Sequence, residues 1–185
     1  MYQCGRCNEV GHDDDHCPHF PHGHPAWLGG DYGERVQEVQ FLGRRRVRIN
    51  GVEYEHGAAA STGCNCLIDA LRQRLGLEGG ADLLARVRDA LRREFGRARG
   101  PQRVKADNYL EFSLHWRAAA RYLLEATGHD PREVDRLRVV CLDDVRRDNV
   151  DVEGEGDRVL HFISLDGNHF VPLWPTGRGQ QRPLA

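Results

Sequence analysis

Residues 161–174 read HFISLDGNHFVPLW, two apolar runs separated by Asp166-Gly167-Asn168. Those three residues predict a tight hairpin, because Asp, Gly and Asn tolerate the positive φ that a short loop between twisted strands requires. The predicted strands are Val159–Leu165 and His169–Trp174, and the second opens on a histidine. Upstream, Leu137–Leu142 (LRVVCL) is a third apolar run of strand length.

Further back the period changes from two to 3.6. A loop of small residues, Ala58–Gly63, runs into a predicted helix with Leu67, Ile68, Leu71 and Leu75 on one face, Asn65 at the N-cap position and Gly76 as the stop. A second helix carries Leu83, Leu84, Val87, Leu91 and Phe95 and ends before Gly96; a third starts near Ser113, buries Trp116, Ala120, Leu123 and Leu124, and ends at Gly128. Ahead of them lie strand-like stretches at Val36–Leu42 and at Arg46–Ile49 and Val52–Tyr54, the last two flanking the hairpin dipeptide Asn50-Gly51. Hairpin, helices, then strands, without repeated alternation, predicts an α+β domain in which helices cover an antiparallel or mixed sheet.

The first 34 residues are different in kind. Cys, His, Gly and Pro dominate, no apolar periodicity appears, and Pro18, Pro21, Pro25, Gly29 and Gly30 form a linker. The expected organisation is a small unit with its linker over residues 1–34 and the α+β domain over 35–185. Cys4, Cys7, His12 and Cys17 spell C-x2-C-x4-H-x4-C, three thiolates and an imidazole that complete a tetrahedral zinc shell. One structural Zn2+ would supply the folding free energy of a piece too small to hold a core. His16 and His19 are alternative ligands to His12.

Composition removes other classes. With 26 basic against 28 acidic residues and 39% hydrophobic content, the 185-residue chain is neither fibrous nor disordered. No run approaches the roughly 20 apolar residues that cross a bilayer, so no membrane partner is expected. Met1 is not followed by a basic and then apolar leader. The expected setting is cytoplasmic or another reducing intracellular compartment, where six cysteines serve as ligands or thiols rather than disulfides. Residues 84–105 carry eight bases against Asp89 and Glu94. Such a run is expected to be a solvated helix face, with a nucleic-acid footprint the less favoured reading.

Two residues point to nucleophilic chemistry. Cys66 stands where the small-residue loop meets the first helix, and there unpaired amides and the helix dipole favour a thiolate. The loop amides around Cys64, Asn65 and Cys66 are placed to face a developing oxyanion. His169, at a strand start, is positioned to serve as general base, since Cys and His partners meet only in the fold. In isolation a cysteine in a first helical turn is more often inert and buried. His115 and His161 are expected to be packing or surface residues.

Gly63-Cys64-Asn65-Cys66-Leu67-Ile68-Asp69-Ala70 resembles the D-G-N-C-[LF]-[FYW]-[RH]-[AS] nucleophile motif of the OTU (ovarian tumour) cysteine deubiquitinases. DGNHFVPL is similar to their histidine motif, and LHWRAAARYLLEATG and LRVVCL resemble the helix and returning strand between the two. The resemblance spans roughly residues 50–174. It implies a papain-type cysteine protease fold, Cys66 and His169 as catalytic pair, and ubiquitin or a ubiquitin-like protein as partner. The chain departs from the motif with Gly63 in place of Asp, Cys64 in place of Gly and Asp69 in place of a base. Val171 stands where an Asp or Asn often orients the histidine, which implies another orienting group or a Cys-His dyad. Residues 4–18 resemble the CCHC zinc knuckle of retroviral nucleocapsid and cellular RNA-binding proteins. Gly5 and Asp13-Asp14-Asp15 replace its aromatic and basic contacts, which favours a structural or protein-binding knuckle. The rival to an active protease is a zinc-knuckle binding module whose OTU-like domain engages ubiquitin or nucleic acid without cleaving it.

Overall fold

The computed structural model describes residues 38–177. The zinc-ligand candidates Cys4, Cys7, His12 and Cys17, and the boundary expected near Arg35, lie outside them. The chain divides into two compact units, Met1–Glu53 and Tyr54–Ala185. In the first, β1 (Val39–Leu42) and β2 (Arg46–Ile49) pair antiparallel, Val39 opposite Ile49 and Leu42 opposite Arg46. β3 (Val52–His56) follows through Asn50 and Gly51, whose φ of 50° and 79° make the primed turn that this dipeptide predicts.

The second unit is built on a mixed sheet in the order β3-β7-β6-β4-β5. Its strands are β4 (Leu137–Asp143), β5 (Val150–Glu153), β6 (Arg158–Leu165) and β7 (His169–Pro175). β6 and β7 form the expected hairpin, Asp166 and Gly167 at φ 52° and 83°, while β4 and β6 run parallel. β5, absent from the sequence-based expectation, is an antiparallel edge strand on β4. Its alternation of Val150 and Val152 with Asp151 and Glu153 has strand period but sits inside an acidic run.

Three helices, α1 (Cys66–Leu75), α2 (Ala81–Phe95) and α3 (Phe112–Ala126), share one core with alternate sheet residues Leu137, Val139, Cys141, Leu160, Phe162 and Phe170. Leu67, Leu71, Leu91 and Leu123 are fully buried there, each the kind of side chain whose truncation to Ala costs about 2–5 kcal/mol. Gly76 ends α1 at φ 71°, its amide and that of Leu77 returning to the Gln73 and Arg72 carbonyls. The sheet residues of opposite parity, Val140, Leu142, Ile163, Val171 and Leu173, are buried as well. Among the described residues no helix is long and apolar enough to cross a membrane.

His115 is a core histidine, as expected. Its Nδ1 accepts the Glu111 amide at 2.9 Å and its Nε2 lies 2.9 Å from the Gln102 carbonyl, to which it donates. His161 packs against the Tyr54 ring, and burial beside Arg74 pushes it down to about 4.

Candidate active site

Two successive left-handed residues turn the chain into α1. Gly63 has φ 66°, which glycine adopts freely, and Cys64 has φ 54°, which costs a residue with a Cβ about 1–2 kcal/mol. The motif's usual Gly at position 64 would carry no such cost. Cys64 ends a 3-10 turn, Thr62–Cys64, and its thiol donates to the Asp107 carbonyl at 3.2 Å.

The loop before α1 is pinned at both ends. Asp69, buried in α1, accepts the Ala60 amide at 2.8 Å and Gln73 Nε2 at 3.1 Å, while Gln73 Nε2 also reaches the Ala58 carbonyl at 2.6 Å. Arg72 neutralises the same carboxylate at 2.9 Å. A base at position 69 could not accept these amides, so the departure from the motif has a structural use here.

At the other end Asn65 occupies the N-cap position without capping the helix; its Oδ1 instead accepts Arg88 Nε at 2.9 Å. Arg88 is 4% exposed. Its Nη1 donates to the carbonyls of Asn108 at 2.8 Å and Lys105 at 3.2 Å, and its Nη2 to that of Cys64. One guanidinium thereby ties α2, the 105–108 loop and the Cys64-Asn65 peptide together, and its hydrogen-bond acceptors among the described residues are neutral oxygens. Burial lowers its pKa and the neighbouring Cys64 and Cys66 raise it. The expectation of a solvated basic face is corrected at this residue. The signal was present, because Arg88 lies four residues after Leu84 and three before Leu91, inside the apolar stripe of α2.

Cys66 is the first residue of α1 and 3% exposed. Its sulfur lies 3.5 Å from the Asn168 carbonyl, and the Phe170 backbone also hydrogen-bonds to it. Those two residues flank His169, the half-buried first residue of β7. Burial pushes the Cys66 thiol up from its ordinary 9.0, and the backbone at Phe170 and Leu67 pulls it part of the way back. The resting group is therefore a thiol that donates to Asn168, and a base must take its proton before it can attack. Val171, two residues past His169, is buried and offers no polar side chain.

Of the expected site residues, Cys64, Asn65, Cys66 and the backbone around His169 come together at the junction of α1 and β7. Cys64, Cys66 and Cys141 are all free thiols. Compared with known protein families, characterised proteins and solved structures, the chain matches none.

Proposed function

We propose that Tyr54–Ala185 is an OTU-like cysteine protease that cleaves ubiquitin or ubiquitin-like conjugates. The observation that carries the reading is the Cys66 sulfur at a helix start, lying against the main chain on both sides of His169. In this mechanism His169 takes the Cys66 proton and the thiolate attacks the carbonyl that ends a Gly-Gly tail. The amides of the Cys64–Cys66 turn hold the oxyanion as the tetrahedral adduct forms. Collapse expels the amine, which leaves with the proton from His169, and yields a thioester. Water, deprotonated by His169, then releases the acid and regenerates the thiol.

Arg88 has a positioning role. It fixes the peptide that carries the oxyanion-binding amides and adds positive charge beside the sulfur. At the amino terminus, Cys4, Cys7, His12 and Cys17 would hold one structural zinc ion, and a reducing compartment would keep both zinc thiolates and nucleophile in working form.

A ubiquitin-derived electrophilic probe tests the reading: the folded wild-type chain is expected to be captured covalently and Cys66→Ala is not. A folded wild type that stays uncaptured rejects the protease reading. Elemental analysis of protein purified without chelator is expected to find one zinc per chain, lost in Cys4→Ser.

One observation favours the binding-module reading. Arg92, Arg93, Arg103 and Lys105 line a cavity of about 420 Å³ beside α2, with Asp89 the only acid lining it among the described residues. Tight RNA binding that weakens steeply with salt, in a chain the probe does not label, would select that reading.

A further inference from the structure

A second cavity lies on the helical face of the sheet, and its lining is acidic. Glu111, Asp143, Asp151, Ser164, Gly167 and Phe170 bound a space of about 160 Å³, and among the described residues none that lines it is basic. Register explains the convergence. Asp143 pairs with Ser164 across β4 and β6, Ser164 with Phe170 across β6 and β7, and Asp151 with Cys141 across β5 and β4. Partners in a ladder share a face, so these side chains lie on the side where Phe170 meets Phe112 of α3.

Two independent observations call for a guest. Ser164 is 5% exposed, yet among the described residues its Oγ has no hydrogen-bond partner, an arrangement that costs stability unless something fills it. Burial and the like charges of Asp143 and Glu111 raise Asp151, so the carboxylates repel one another without a cation among them. The Val145 and Arg146 amides hold Asp143 Oδ1 at 2.8 and 2.9 Å, which fixes that carboxylate in place. Among the described residues no three His, Cys, Asp or Glu side chains are grouped to ligate a metal ion.

We propose that this notch binds the guanidinium or ammonium group of an arginine or lysine side chain, with Asp143 and Asp151 as counter-charges and Ser164 Oγ as acceptor. Phe170 lines the notch and its backbone faces the Cys66 sulfur, while Gly167 precedes the Asn168 carbonyl that the thiol bonds. If the chain is a protease, the cation belongs to a basic residue near the scissile bond. That use rests on the protease reading; binding itself does not.

The test is titration of the 15N-labelled full chain with methylguanidinium chloride and, in parallel, methylammonium chloride, against matched sodium chloride. Saturable shifts at the Ser164 and Gly167 amides are expected, and the tighter of the two cations identifies the side chain recognised. Asp151→Asn should weaken binding by about tenfold and Ser164→Ala by about threefold. Ser164→Ala removes an unpartnered hydroxyl and so keeps the fold if Asp151→Asn does not. Shifts no larger than those from sodium chloride, equal affinity in both variants, or tighter saturation by Ca2+ would overturn the proposal. Repeating the titration on Cys66→Ala, beside probe capture by the wild type, separates the two readings: binding without capture removes only the protease, and capture without binding removes only the notch.

Discussion

Cys66 and Cys141 are both buried thiols in one core, and both have a backbone hydrogen bond that offsets burial, but their positions and neighbouring charges differ. Cys141 lies mid-strand in β4, where burial and the nearby Asp151 and Asp143 push its pKa well above the ordinary value. Cys66 is also raised by burial, but it starts a helix, receives backbone hydrogen bonds from Phe170 and Leu67, and neighbours the Arg88 cation. Burial alone makes a thiol inert. A helix start and a neighbouring cation, in place of the acids beside Cys141, are what separate a candidate nucleophile from a core residue.

The largest expected effect follows directly. Cys66→Ala abolishes probe capture and hydrolysis, whereas Cys141→Ala leaves capture intact and costs only packing. Capture that survives in Cys66→Ala and disappears in Cys141→Ala would invert the comparison. Next in size, His169→Ala lowers turnover by about 10²–10⁴-fold, the usual contribution of a positioned base, because the raised thiol then has no acceptor for its proton. Steady-state hydrolysis of a ubiquitin amide substrate measures it.

Arg88 sharpens the contrast at intermediate size. Mass-spectrometric tracking of iodoacetamide labelling is expected to show Cys66 reacting faster as pH climbs, still rising above 9.0, while Cys141 labels only on unfolding. Both thiols favour the protonated form in the fold, so unfolding above pH 9.0 releases protons and stability falls there. Arg88→Gln should slow Cys66 labelling near neutral pH by about tenfold and move its pH profile upward, and it should destabilise the fold by about 3 kcal/mol. Arg88→Lys restores the charge and part of the profile but not the four-acceptor geometry. An unchanged profile in Arg88→Gln would show that the guanidinium acts on the fold alone.

Much of this arrangement is legible in the sequence. The Asn50-Gly51 and Asp166-Gly167 turns, the three apolar stripes and the glycine after α1 each announce their element through local chemistry. The junction of Cys66 with the start of β7 follows from a helix packed on its sheet. What was not read depends on contacts distant in the chain. Arg88 looks like any base in an arginine-rich run until its place in the apolar stripe is weighed, and its acceptors at positions 64, 65, 105 and 108 come from two separate loops. Asp69 likewise becomes a loop anchor only when Ala60 folds back onto it. β5 escaped because four residues in an acidic run gain strand character from β4 rather than from themselves.

The smallest effect tests the turn that delivers Cys66. Cys64 holds φ 54°, so glycine there relieves about 1–2 kcal/mol of strain. The gain is offset by about 0.5–1 kcal/mol of added freedom in the unfolded chain and by loss of the thiol's bond to the Asp107 carbonyl. Cys64→Gly is therefore expected to be neutral or stabilised by less than about 1 kcal/mol in urea denaturation, with probe capture retained. Cys64→Ala keeps the strain and loses the hydrogen bond, so it should fall below the parent in stability and capture the probe more slowly. The order Gly, Cys, Ala is what distinguishes a backbone requirement from a need for the thiol. If Cys64→Gly instead lost more stability than Cys64→Ala, the sulfur's bond to Asp107 would matter more than the turn. The left-handed backbone at position 64 would then be a consequence of that bond rather than the feature that sets Cys66 at the helix start.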